Sequence, residues 1–173
     1  MALKKIYTYG ASVLRERAEP IEQVTPEIMR LADDMLEMMK KASGIGLAAP
    51  QVGESVRMII VTYGLEEEKP EPKVILNPEI LDHSISTEVM EEGCLSVPEE
   101  TGLVTRWTDI IIRGLSLDGR PFEEKLQGLT ARIFQHEYDH LEGVLFIDRL
   151  SFLKRDVVKR RLKKRLKQEM NVS

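Results

Sequence analysis

The chain has 173 residues, 42% hydrophobic and 31% charged, with a net charge of −4. That length and balance suit one globular domain over residues 1–173, exclude collagen-like, mucin-like and disordered classes, and give no general affinity for DNA. No apolar run approaches the roughly 18 residues of a membrane-spanning helix, residues 1–6 carry no apolar stretch behind their lysines, and the single cysteine, Cys94, excludes an internal disulfide and fits a reducing compartment.

The expectation is a cytoplasmic protein with no membrane partner. No self-similarity at periods of 20–50 residues breaks the chain into repeats. Thr25 followed by Pro26 reads as a cap with proline at the first helical position, and Ile28, Leu31, Ala32, Met35, Leu36 and Met39 then fall at helical spacing. The spacing predicts an amphipathic helix over 26–41. Residues 44–51, Gly-Ile-Gly-Leu-Ala-Ala-Pro-Gln, hold too many small and breaking residues for a regular element and read as a shaped loop. Short, partly β-branched runs at 56–63, 73–76, 87–91, 109–117 and 121–125 read as strands. Asp118-Gly119 signals a hairpin, and 64–72, with three consecutive glutamates and two prolines, reads as a solvated loop. Helical periodicity returns over 130–141, with Gly143 suited to its C-terminal end, and a last helix is predicted at about 150–169.

The sharpest chemical signal lies on the predicted 130–141 helix: His136-Glu137-Tyr138-Asp139-His140, an HExxH sequence. Residues i and i+4 share a helix face, so the two imidazoles converge on one point with Glu137 beside them, a metal-binding geometry. With three His and 21 Glu, composition alone predicts about 0.006 occurrences of this pattern. The competing reading pairs the histidines with Asp139 or Glu142 on a solvated face; Ile133, three residues before His136, argues that this face is buried.

Two histidines leave a catalytic metal one protein ligand short of the usual three plus water. Phe146 stands where an extended HExxHxxGxxH sequence needs its third histidine, and the segment beyond is rich in Lys and Arg, with only Glu169 far along it. Of the remaining soft ligands there are Cys94 and His83; Cys94 follows a predicted strand in Glu92-Gly93-Cys94-Leu95-Ser96, whereas His83 has no spaced partner and reads as a surface residue. A lone cysteine is more often a small buried hydrophobe, but beside an HExxH short of one ligand a thiolate becomes the better reading.

Three segments, Gly44-Ile45-Gly46-Leu47-Ala48-Ala49-Pro50-Gln51, Glu92-Gly93-Cys94-Leu95-Ser96 and Gln135-His136-Glu137-Tyr138-Asp139-His140, resemble in order the three signature motifs of the peptide deformylases. The resemblance implies an α+β fold of short, mostly antiparallel strands around a central metal-binding helix. It also implies a metal-dependent hydrolase that removes the formyl group from the N-formylmethionine of nascent chains. Cys94, His136 and His140 would hold one divalent metal per chain and leave a place for water, whose pKa the ion lowers. Glu137 would serve as general base and then general acid. Gln51, through its side-chain amide, and Leu95, through its backbone N–H, would donate to the oxyanion. Ile45, Gly46 and Gly93 would border the peptide, and a methionine pocket is expected from Ile45, Ile133 and the stem of Arg132, with the arginine making its mouth more polar. Fe²⁺ is the implied native ion, with Zn²⁺, Ni²⁺ or Co²⁺ in preparations; a thiolate with two imidazoles suits iron and zinc about equally. Two other readings stand beside this one, an HExxH metallopeptidase and a metal-stabilised ribosome-binding module.

Residues 154–168 contain nine Lys/Arg and one Asp, a local charge of +8 that leaves −12 on the other 158 residues. A solvated face is one reading; contact with ribosomal RNA, near the emerging substrate, is the other. Val157, Val158, Leu162 and Leu166 are expected to form the seam that packs this helix on the body. Removing residues 154–173 is expected to abolish any salt-sensitive ribosome binding.

Overall fold

Helix α1 (Pro26–Lys41) starts and stops where its sequence says it should: Thr25 accepts the Ile28 N–H, Pro26 stands at the first position, and Leu31, Ala32, Met35, Met38 and Met39 turn inward. The computed structural model describes residues 4–172, so the start of the N-terminal lysine-bearing segment and Ser173 lie outside it. After α1 come β1 (Gly46–Ala48), β2 (Met58–Tyr63), β3 (Glu71–His83), β4 (Thr87–Cys94), β5 (Val97–Trp107), β6 (Asp109–Leu115) and β7 (Pro121–Gln127), then α2 (Gly128–Leu141) and α3 (Phe152–Val172). All pairings between these strands are antiparallel, in one sheet ordered β1-β2-β3-β6-β7 and one hairpin β4-β5. The α+β expectation holds.

The run Met58-Ile59-Ile60-Val61 has no polar alternation because both faces of β2 are covered. Ile59 and Val61 pack with Ala131, Ile133 and Phe134 of α2; Met58 and Ile60 pack with Met35, Met38 and Met39 of α1. All four are fully buried, each stabilising the fold by about 1.5–3 kcal/mol. The sheet is thus sandwiched between α1 and α2, and α2 becomes the central helix. Gly143 closes α2 at φ +74°, where its N–H reaches the His140 carbonyl (3.2 Å) and a β-carbon would strike the Arg15 carbonyl oxygen.

Several elements differ from the sequence expectation. Residues 44–51 are not all loop: Gly46–Ala48 forms edge strand β1, followed by a 3-10 turn over Ala49–Val52, because Leu47, Ala48 and Ala49 are small or apolar enough to be buried completely. Strand β3 runs on past Leu76 through Asn77-Pro78 to His83. Asn77 adopts φ +48°, and its side chain exchanges two 2.8 Å hydrogen bonds with the backbone of Ile21, so this bulge carries the strand on towards β6. Strand β5 was not expected at all. Its inward positions include Glu100, Gly102 and Arg106, which break the apolar alternation that marks a half-buried strand.

On α3 the seam is narrower than expected. Val158 and Leu162 are buried against Leu14, Val97, Val104 and Leu150, whereas Val157 is 46% exposed and faces solvent with Phe152 and Leu153.

Candidate active site

Helix α2 brings His136 and His140 to one face, with ring centroids 5.3 Å apart. The turn that joins β4 to β5 places Cys94 opposite, its Sγ 3.4 Å from His140 Nε2. One ligand atom from each of Cys94, His136 and His140 lies within 4.8 Å of the others. A thiolate and two imidazoles supply three of the four positions of a tetrahedral metal site, and no second cysteine or spare histidine stands by to close it. The set therefore fits a catalytic ion better than a structural one.

The surroundings fit it too. His136 Nδ1 donates to Glu92 Oε1 at 2.8 Å, which fixes the tautomer and leaves Nε2 for the cluster. Burial pushes the Glu92 carboxyl upward, but hydrogen bonds from His136 and Arg106 outweigh it and hold the group ionised, well below the usual carboxylate range. Arg106 grips Glu92 through Nε and Nη2, both at 2.9 Å, and reaches Asp139 at 2.6 Å; Arg149 also binds Asp139, at 2.5 and 2.8 Å. Asp139 is thus committed to arginines and Glu142 to Arg57, at 2.9 Å, so neither acid pairs with the histidines. Phe146 lies against the His136 ring, centroids 6.2 Å apart, in the position where an extended zinc-protease sequence would carry its third histidine.

Glu137 is buried beside this cluster, and its Oε2 has no hydrogen-bond partner, as is true of His140 Nδ1. Burial pushes the Glu137 carboxyl up to about 7. Its place depends on Gly46: a β-carbon there would lie 2.8 Å from Glu137 Oε1 and 2.9 Å from Ile133. The missing side chain at 46 makes room for Glu137 and Ile133.

Gln51 is 2% exposed and oriented by two neighbours: its Oε1 accepts from the Ala48 N–H at 2.9 Å, and its Nε2 donates to Ser96 Oγ at 3.1 Å and approaches Cys94 Sγ at 3.5 Å. One amide N–H is thus taken by Ser96 and the other points at the cluster. Leu95 sits next to Cys94 at the tip of the turn, half-buried.

These residues open into a cavity of about 650 Å³, within the usual range for a small-ligand site. Ile45, Gly46, Gly93, Arg132 and Ile133 all line it, Ile45 being 45% exposed at its mouth and Ile133 buried. Met90 and Leu129 line it as well and were not anticipated; an alternation rule on 87–91 would have shown only that Met90 and Glu92 share a face. Arg132 does not give the cavity a polar mouth. Its guanidinium is buried, donating to Glu92 Oε2 (2.6 Å), the Val104 carbonyl (3.0 Å) and the Glu88 carbonyl (2.6 Å). His83 is exposed, away from the cluster, and stacks on Trp107 at 3.8 Å.

Comparison with known proteins agrees with this geometry. The sequence profile of the polypeptide deformylase family matches residues 3–156. A peptide deformylase of Mesorhizobium japonicum is 44% identical over 164 residues, covering 95% of this chain and 93% of the relative, and one of Bradyrhizobium diazoefficiens is 47% identical over 171 residues, covering 96% and 98%. The crystal structure of peptide deformylase from Ehrlichia chaffeensis in complex with actinonin superposes with a TM-score of 0.88 at 37% identity, covering 95% of this chain and 98% of that one.

Proposed function

The chain belongs to the polypeptide deformylase family, a metal-dependent hydrolase of N-formylmethionyl peptides, and from that premise we propose how its residues divide the work. The observation that carries the reading is the meeting of Cys94, His136 and His140 with Glu137, whose Oε2 is unpartnered, beside a cavity that Cys94, His136 and Glu137 line. When bound there, a divalent ion supplies Lewis acidity and acidifies a water at its open position.

Glu137 takes the proton of the attacking water and returns it to the leaving amine; its free Oε2, held by burial and by the space Gly46 leaves, supports this role. Gln51 Nε2 and the Leu95 N–H donate to the oxygen of the formyl group as charge develops on it. Both donors are fixed beforehand, Gln51 by Ala48 and Ser96, Leu95 by the Cys94 turn, so little reorganisation is needed. The substrate backbone lies along Ile45, Gly46 and Gly93, and its methionine side chain enters the apolar part of the cavity among Met90, Leu129 and Ile133, with the aliphatic stem of Arg132 below. Chain 1–173 acts as one catalytic unit in the cytoplasm, and Fe²⁺ is the native ion, with zinc, nickel or cobalt able to replace it in preparations.

Formate release from N-formyl-Met-Ala by anaerobically prepared protein, with metal analysis, tests the assignment. We expect one metal per chain, and turnover that is lost in Glu137→Gln while the metal stays. Cleavage of unformylated peptides without formate release would overturn it.

The basic face of α3 is proposed to meet ribosomal RNA. Lys154, Lys163, Lys164 and Lys167 are exposed on the helix, and polyanion contact of this kind is salt-sensitive. Replacing Lys163, Lys164 and Lys167 with alanine is expected to remove co-sedimentation with ribosomes at low salt; unchanged co-sedimentation overturns the contact.

A further inference from the structure

The hairpin that carries Cys94 is irregular at its tip. Gly93 faces Thr101 and Cys94 faces Val97, so Pro98, Glu99 and Glu100 bulge out with no residue opposite them on β4. Glu99 within this bulge has φ +65°, a left-handed conformation that a non-glycine residue keeps only where its surroundings hold it. From the inside the turn is held by Tyr9, whose N–H donates to the Ser96 carbonyl at 2.8 Å, and by Gln51 on Ser96 Oγ. Neither contact touches the bulge.

The bulge is held from α3. Arg165 alone reaches three consecutive residues: Nη1 donates to the Pro98 carbonyl at 3.0 Å, Nη2 to Glu100 at 2.8 Å, and Nε lies 3.5 Å from Glu99. Arg161, one helical turn earlier, lies 3.2 Å from the other oxygen of Glu100, whose side chain is 5% exposed. Val158 and Leu162 fix the helix on the body along the same side, so the two guanidinium groups meet the bulge in a set register. Both arginines lie beyond residues 3–156, the part matched by the family profile.

We infer that Arg165 and Arg161 are positioning residues: from outside the cavity they hold the Pro98–Glu100 bulge, and with it the Cys94 thiolate and the Leu95 N–H, in place. The inference rests on the reading of Cys94 and Leu95 as site groups. Arginine suits this task because its planar fork spans a carbonyl and a carboxylate at once, which an ammonium cannot do. A purely structural role for the pair would stabilise α3 and leave the site indifferent to its loss.

The test compares wild type with Arg165→Ala, Arg165→Lys, Glu100→Gln and, as a control, Arg113→Ala, which removes an exposed ion pair with Glu79 on the main sheet. Zinc-loaded protein is challenged with a chelator, the rate of Cys94 alkylation is measured with and without zinc, and kcat and KM are measured on N-formyl-Met-Ala; circular dichroism checks folding. Cys94 is the sole thiol, so alkylation reports on it directly. Arg165→Ala is expected to lose zinc about tenfold faster, as other residues that support metal ligands do when removed. Its kcat falls while KM stays within about twofold. Glu100→Gln shows the same pattern more weakly, Arg165→Lys recovers part of the loss, and Arg113→Ala matches wild type. Folded Arg165→Ala and Glu100→Gln that both match wild type in zinc loss and kcat overturn the inference while leaving the site reading intact. A wild type whose Cys94 reacts equally fast with and without zinc overturns the site reading beneath it.

Discussion

Two glutamates on one hairpin, Glu92 on β4 and Glu100 on β5, stand on either side of Cys94, and each is nearly buried and held by two arginines. The arginines differ. Those on Glu92, Arg106 and Arg132, are 3% and 6% exposed, whereas those on Glu100, Arg161 and Arg165, are 48% and 33% exposed. Around Glu92 both charges have left water, so the cluster holds only because every partner is present, and it is tied directly to His136. Around Glu100 the positive charge keeps contact with solvent, and the pair acts on the site only through the backbone it restrains. One brace is internal and rigid, the other external and open to screening.

The sharpest way to break this comparison is Glu92→Ala. It leaves Arg106 and Arg132 without their shared counter-charge and His136 without its acceptor, so we expect a loss of about 3–5 kcal/mol in chemical denaturation and a 10- to 100-fold or so weaker hold on zinc. A variant as stable as wild type would show that the buried cluster adds nothing. Arg132→Met comes next. Glu92 keeps both bonds from Arg106, but the Val104 and Glu88 carbonyls lose their donor, and about 1–3 kcal/mol should go in the same assay. Glu100→Gln should cost about 1 kcal/mol or less, because its partners are half in water. If Glu100→Gln proved as damaging as Glu92→Ala, the distinction between the two braces would fail.

The same contrast explains what could be read from the sequence. Helices α1 and α2 were legible because Thr25-Pro26, helical spacing and Gly143 all act locally, and HExxH needs only the i, i+4 geometry of a helix. Cys94 was legible as a candidate third ligand, and the structure places it within reach of His136 and His140; Gln51 and Leu95 were named only through the resemblance of the three motifs. Strand β5 was not legible, since Arg106 and Gly102 occupy inward positions where pattern rules expect apolar residues; the charge cluster that supports the site erased the signal of the strand that bears it. Nor could Arg161 and Arg165 be told from the other seven cations of residues 154–168, because what sets them apart is a carboxylate more than 60 residues away. The β1 edge was hidden for a third reason: Gly46 is there for the space Glu137 needs, and small residues read locally as loop.

The smallest effect is the one that separates the braces most cleanly. Raising ionic strength from 0.1 to 1 M shortens the screening length from about 10 to about 3 Å. That should leave the sealed Glu92 cluster unmoved and loosen the half-exposed grip on Glu100. Wild-type protein is then expected to release zinc to a chelator faster at high salt, by less than about threefold, and Glu100→Gln, which keeps only the exposed Arg165–Glu99 pair on the bulge, to show a smaller salt response. An equal response in both would place the salt effect elsewhere. The result also bears on how the basic helix is tested for RNA contact. Removing residues 154–173 deletes the outward lysines and the inward arginines together, so loss of activity and loss of docking would arrive in one variant. Replacing Lys163, Lys164 and Lys167 leaves Arg161 and Arg165 on Glu100, and only that variant can show docking lost while zinc retention and kcat stay at wild-type values.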